Sequence, residues 1–388
     1  MKRLESILLF LTLLFLPTQL GRHFWPGFSY IYSLKIDYLA PTLYFWDILV
    51  VGLILIWILS KACLPAGRPK INKLALNLLL IFLLSQALSL LRANNMGAGL
   101  VRLEQYAVAG LFGVYLASQK LKNIFLPLTI GILGESLLAI LQFLKGGTLG
   151  LWILGERSFT LTTPGIAKFD FFGLQFLRPY ATFPHPNVLA GYLLIISLIL
   201  RQKIVFAVSG LIIFLTMSRV AILAGFVSLF FLKKRNIKII ILITVIIIIL
   251  SPILFTRFSS LFSYDNLTIL RREELLQSSW NLFLKNPIFG VGLNNFISAQ
   301  QDLISGPSRF LQPVHNIFLL ALSETGIIGL MGLICLIGLP FLKLPTIRYT
   351  LYAILFLGLF DHYFLTLPQG YRLLFLVWGL SLSRLKLK

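Results

Sequence analysis

Several arginines and histidines in this chain sit where a folded helix bundle does not need them. The stretch "RPYATFPHPNVLAGYL" sets Arg178, His185 and Asn187 just ahead of an apolar run. There the prolines shape a turn and Asn187 is the expected helix cap, whereas Arg178 and His185 serve neither purpose. "LTMSRVAILAGF" places Arg219 at a turn between apolar segments, and "NLTILRREELLQSSWNLFLKNPIFGVGLNNF" carries Arg271 and Arg272. "QPVHNIFLLALSETGIIGL" holds His315, Asn316 and Glu324, and "LFDHYFLTLPQG" holds Asp361 and His362. Arginine grips phosphate with two parallel hydrogen bonds and does not lose its charge. Neutral histidine can take a proton from a hydroxyl near pH 7. Together they suit a transfer reaction in which a lipid diphosphate leaves. There is no HExxH, CxxC or DxD motif, so neither a metal nor a cofactor is expected, and arginine would replace Mg²⁺ as the neutralising charge.

Each residue also has a plainer reading. Arg271 and Arg272 can contact lipid headgroups, and Arg178 can neutralise carbonyls of its own loop. His315 can cap a helix together with Asn316. Glu324 lies nine residues beyond His315, about 13 Å along a helix and half a rotation round it. It therefore cannot orient His315, and a structural partner on another helix is expected. Arg102 and Glu104 can snorkel, while Glu135, in mid-span, is harder to dismiss.

The elements that must position these residues are membrane helices. The chain has 388 residues, 58% of them hydrophobic, and a mean hydropathy of +0.90. That excludes an ordinary soluble domain, and continuous apolar runs exclude a transmembrane barrel. The net charge of +21 is read as the positive-inside signal and attraction to anionic lipids, not as nucleic-acid binding. Two cysteines, Cys63 and Cys335, do not suggest a disulfide framework. The fold class expected is an all-α polytopic membrane protein, a single integral domain over 1–388. About twelve spans are expected, near 5–20, 42–60, 74–91, 98–118, 123–144, 187–200, 204–217, 220–232, 239–255, 314–339, 347–365 and 371–384. The first is read as retained, because no small-residue cleavage site follows it.

Short basic loops fix the orientation. "SKACLPAGRPKINK", "QKLK", "RQK", "KKRNIK" and the tail "RLKLK" fall inside if both termini are cytoplasmic. Two long loops then lie outside, at 145–186 and 256–313, the second carrying an amphipathic helix along the membrane. Residues 204–232 could be one helix or two short ones. Two keep both flanking basic loops inside and leave Arg219 recessed at their junction, a costly place for a charge.

In order along the chain, "RPYATFPHPNVLAGYL", "LTMSRVAILAGF", "KNPIFGVGLNNF" and "PVHNIFLLALSETGIIGL" resemble four landmarks of the O-antigen ligase and O-antigen polymerase superfamily, over about residues 100–345. The resemblance implies a GT-C-like membrane glycosyltransferase in the cytoplasmic (inner) membrane, working on its outer or periplasmic face. Its donor would be a glycan on undecaprenyl diphosphate. Its acceptor would be a glycan, lipid or protein, and no metal would be needed. It also implies that Arg178, Arg219 and Arg272 bind the diphosphate and that His315 is the base. Arg272 is preferred to Arg271 for its spacing to "NPIFGVG". His185 stands where many members have Gly or Asn, and Asp361 with His362 matches no landmark; both could be accessory, as could Asn187, Asn316 and Glu324.

Three alternatives stay open: a polymerase of the same superfamily, a lipid-linked glycan flippase, or a structural membrane protein. Against the flippase stands the lack of matching half-repeats. Against the structural protein stands the collection of Arg and His on one side.

Overall fold

The computed structural model describes residues 1–62, 71–119, 124–171, 173–230, 267–300, 311–343 and 348–383. The expected ninth span, parts of the 256–313 loop, Cys63 and most of the basic loops lie outside the described residues. Helices dominate: α1 Lys2–Leu14, α2 Phe45–Ala62, α3 Lys73–Ser89, α4 Met96–Ser118, α5 Phe125–Lys145, α6 Pro186–Leu200, α7 Lys203–Leu215 and α8 Arg219–Phe230. They continue as α9 Leu267–Lys285, α10 Phe296–Ala299, α11 Ile317–Lys343, α12 Arg348–Gly358, α13 Tyr363–Thr366 and α14 Pro368–Leu382. Among the described residues, three stretches are long and apolar enough to cross a membrane: Lys73–Arg92, Phe125–Lys145 and Ile317–Pro340. Shorter apolar helices cover Phe45–Ser60, Pro186–Leu200, Lys203–Leu215 and Tyr349–Gly358.

Two helices, α7 and α8, occupy 203–230 and meet at a tight turn in which Met217 adopts a φ of 50°. The expectation of two short helices therefore holds. The expected eleventh span is shorter than read: α12 stops at Gly358, so Asp361 and His362 lie in the connection that follows it. The all-α expectation also needs three small additions, all two-stranded antiparallel sheets in connections, two of them hairpins. They are β1 Gly21–His23 with β4 Thr42–Tyr44, β2 Tyr30–Ile31 with β3 Leu34–Lys35, and β5 Lys168–Phe171 with β6 Leu174–Leu177. Aromatic side chains hold the last of these, Phe169 and Phe176 stacking on each other and on Phe143 of α5.

Close packing sets the bundle. Without a hydrophobic force between helices in lipid, small residues let backbones approach. A Cβ on Gly113 of α4 would meet Trp378 and Phe375 of α14, and one on Gly379 would meet the Gly113 backbone. Asn72 caps α3 by accepting from Ala75 N and spends its amide N–H groups on the carbonyls of Ala117 and Leu382. Near the opposite end, fully buried Arg372 donates to the Thr18 carbonyl at 2.8 Å. It lies 3.8 Å from Asp47 and 4.7 Å from the Tyr44 and Trp46 ring centroids.

Gly326 interrupts α11 with φ 64°, ψ −166°. The interruption frees the Ser323 and Glu324 carbonyls, which accept from Val291 N at 3.0 Å and Gly292 N at 2.8 Å. The carboxylate of Glu324 accepts from Asn294 N at 3.0 Å and Phe296 N at 3.1 Å. "NPIFGVGLNNF" is thus docked onto a broken helix, and Glu324 finds the structural partners expected of it. A Cβ at Gly290 or Gly326 would strike backbone across this contact.

Candidate functional site

The connections 15–44, 146–185, 311–316 and 359–367 gather at one end of the bundle around a cavity of about 670 Å³, a usual size for a ligand site. Two residues of α5 fasten the loop that opens it. Gln142 accepts from Tyr180 N and Ala181 N and donates to the Ala181 carbonyl. Glu135 accepts from the Thr182 amide at 3.1 Å and its hydroxyl at 2.8 Å, so its mid-span carboxylate is a clamp on this loop.

His185, not Asn187, caps α6: its Nδ1 accepts from Asn187 N at 3.1 Å. Ring nitrogen takes the place of the usual side-chain oxygen, which corrects both the expected cap and the view that His185 has no local task. The Asn187 side chain is thereby free to bridge. Its oxygen accepts from Arg178 at 2.8 Å and its nitrogen donates to Asp361 at 3.4 Å. Arg178 Nε donates to the Thr216 carbonyl, so the carbonyl it neutralises belongs to the α7–α8 turn rather than its own loop.

At the other wall Asn316 caps α11, accepting from Phe318 N at 2.9 Å and Leu319 N at 3.0 Å. His315 is left with no part in the cap. Its Nδ1 faces Asp361 Oδ1 at 3.6 Å, and its ring centroid lies 5.0 Å from that of His362. Asp361 Oδ1 also accepts from His362 N at 2.9 Å, and His362 Nδ1 sits 2.6 Å from the Thr366 hydroxyl. Burial, followed by the nearby Arg178 guanidinium, pushes the His185 imidazole down to about 3. Burial and His315 push His362 down to about 3 as well. Burial alone would raise Asp361, but the close approach of His315 and the surrounding imidazoles hold it well below the usual carboxylate range.

His185, Asn187, His315, Asp361 and His362 all line the cavity. Arg178, Arg219 and Arg272 are not among its lining residues. The charge of Arg272 acts on His185, His362 and Arg219, and that of Arg178 acts on His185. Arg271 is half-buried one position earlier, turned roughly 100° round the helix. Asn187 therefore stands between Arg178 and the Asp361 carboxylate.

The cavity has a second set of lining residues that the sequence reading did not assign: Asp37, Tyr38, Arg102, Glu156 and Arg157. Arg102 does not snorkel. It is 4% exposed and points to the Tyr38 carbonyl at 3.3 Å and Asn294 Oδ1 at 3.4 Å. A charged pair, Arg102 and Glu104, on a mostly apolar α4 is the available signal. Glu156 is a loop clasp, accepting from Gln142, Leu149 N and Leu151 N. The fold also groups His315, Asp361 and His362 so that one ligand atom from each lies within 4.8 Å of the others. No sequence motif signals that grouping, because the residues come from two separate connections.

A family model described as O-antigen ligase matches residues 204–334. That stretch, about a third of the chain, contains Arg219, Arg272, His315 and Glu324 and is similar to the O-antigen ligase family. No curated protein matches the chain.

Proposed function

From that similarity over residues 204–334 we propose that this protein is a membrane glycan transferase. It would move an oligo- or polysaccharide from undecaprenyl diphosphate to an acceptor hydroxyl on the outer face of the cytoplasmic membrane. The observation that carries the reading is the chain of contacts Arg178–Asn187–Asp361–His315 at the wall of a ligand-sized cavity. It joins a phosphate-holding residue type to a proton-accepting one.

In this mechanism the acceptor enters the cavity and the donor diphosphate lies on the arginine side. Asp361 faces Nδ1 of His315 and so favours the tautomer with its proton there. Nε2 then takes the acceptor proton as the acceptor oxygen attacks the anomeric carbon. The bond between that carbon and the diphosphate oxygen breaks, and the electron pair leaves with the diphosphate. A positioned base contributes about 10²–10⁴-fold. Arg178, Arg219 and Arg272 stabilise the departing charge, each worth on the order of 10²–10³-fold where its field is fully used. Fixed guanidinium charge removes the need for a metal in the reaction.

The test is reconstitution with undecaprenyl-diphosphate oligosaccharide and an envelope acceptor fraction, with EDTA present, following release of undecaprenyl diphosphate. Release by wild type and its loss in His315→Ala is the expected result. Equal release by both would remove His315 as the base. A need for ATP or an ion gradient, without release, would favour a flippase.

A further inference from the structure

All four histidines of the chain, His23, His185, His315 and His362, line the one cavity. Two have their Nδ1 engaged locally: His23 with the Thr42 hydroxyl at 2.7 Å, and His185 with Asn187 N. The other two flank Asp361. Thr366 engages His362: its hydroxyl oxygen lies 2.6 Å from Nδ1 and 3.2 Å from the His362 carbonyl. In the tautomer with the Thr366 proton on that carbonyl, Nδ1–H donates to the hydroxyl oxygen and Nε2 keeps its lone pair. Proteins orient metal-ligating histidines by giving the far N–H an acceptor such as a carboxylate, a backbone carbonyl or water, a place the Thr366 oxygen can take here. The Asp361 carboxylate is held in turn by His362 N and the Asn187 side chain.

The dimensions also suit an ion. Zinc binds His and Asp at about 2.0–2.2 Å, so two ligands of a tetrahedral site stand on the order of 3.3 Å apart. His315 Nδ1 and Asp361 Oδ1 stand 3.6 Å apart, and all three ligand atoms fall within 4.8 Å. Small side-chain rotations close the difference. Two imidazoles with one carboxylate favour zinc and its neighbours over Mg²⁺ or Ca²⁺, which prefer oxygen.

We propose that His315, Asp361 and His362 form a zinc-type transition-metal site, with a fourth position open to the cavity, whose occupancy switches the transferase off. The binding half stands on this geometry, whereas the inhibitory half rests on the function proposed above. A neutral imidazole carries one proton. With that proton on Nδ1 of His315, Nε2 is the base. With metal on Nδ1, the proton sits on Nε2 and the base is gone. Metal on Nε2 consumes the lone pair directly, so either mode stops proton removal.

The test uses the full-length protein, free of any polyhistidine tag, stripped with chelator and held in lipid nanodiscs. Co²⁺ is titrated as the spectroscopic probe and Zn²⁺ by calorimetry. One equivalent with tetrahedral d–d absorption is expected. His362→Ala should weaken it by 100-fold or more and Thr366→Val by about 10–100-fold, each checked for an intact melting transition. In the transferase assay Zn²⁺ should inhibit, EDTA should relieve the inhibition, and Thr366→Val should raise the inhibitory concentration by the same factor as its affinity loss. No cobalt band, or binding indifferent to both substitutions, would overturn the site. Binding without inhibition, or activity that requires the metal, would overturn the switch. The cobalt titration decides the site even if no acceptor is turned over, so its failure and that of the proposed function are separable.

Discussion

His315 and Asp361 arrive from the start of α11 and the end of α12, and their 3.6 Å approach is the feature on which single substitutions should act most sharply. In the proposed reaction Asp361 positions the ring without touching substrate. Asp361→Asn should lower kcat by about 10²–10⁴-fold and leave KM within a few-fold, as read by steady-state release of undecaprenyl diphosphate. A large KM change with kcat intact would assign Asp361 to acceptor binding instead. His185 offers a separate prediction. Its folded pKa of about 3 lies below the ordinary 6.5, so the unfolded chain binds the extra proton. The stability it contributes is complete above about pH 6.5 and falls as pH drops towards 3, by roughly 1 kcal/mol per pH unit. Asparagine is a good helix cap, so His185→Asn should keep the melting temperature at pH 7.5 and flatten its fall between pH 6.5 and 5. An unchanged slope would mean that His185 is not buried neutral.

At the scale of elements, the broken α11 does two things with one interruption. Its first part presents His315 to the cavity, and the carbonyls freed at Gly326 dock the segment after α9. Because α9 carries Arg272, this joint links the helix of Arg272 to the helix that follows His315. Gly326 has a positive φ, and a side chain there would strike the Ile288 backbone. Gly326→Ala should therefore cost more than about 1 kcal/mol, seen as a lower melting temperature, and should weaken donor turnover. Normal melting with normal turnover would show that the joint tolerates a Cβ. Glu324→Gln is milder, since one amide oxygen can still accept from Asn294 N or Phe296 N but not both on equal terms. It should fall between wild type and Gly326→Ala in the same melt.

For the molecule as a whole, connections at the two ends of the bundle differ in kind. One end holds the small sheets, the cavity and the polar cluster; the other holds short basic turns such as Arg201–Gln202. The positive-inside rule then predicts that the cavity faces outward. Cysteine labelling in whole cells, in a Cys63→Ser, Cys335→Ser background, tests this. Ser158→Cys, exposed beside the cavity, should react with a membrane-impermeant maleimide. Lys203→Cys, exposed at the other end, should react only after permeabilisation. The reverse pattern would put the cavity in the cytoplasm and exclude a lipid-linked donor presented from outside.

Much of the scaffold could be read from residues in order, because helix periodicity, caps and charge placement are local. The two short helices meeting at "TMSR" follow from the basic loops on either side, the helix of "NLTILRREELL" from its amphipathic pattern, the capping role of Asn316 from its residue type, and the distant partners of Glu324 from rotation along a helix. What the order of residues could not decide is which connections meet. Asp361 was read at the end of a span because its flanks are apolar, yet tertiary packing ends the helix at Gly358 and turns the carboxylate to His315. Likewise Arg102 on α4 could face lipid or the interior, and only the neighbours of α4 decide. His185 looked superfluous because ring nitrogen is an uncommon cap, and its neighbour Asn187 offered a commoner one. Local chemistry determined which residue types were available for phosphate and proton. The packing of separate connections against one another decided which of them share a wall, since contacts between distant segments leave no periodic trace in the sequence.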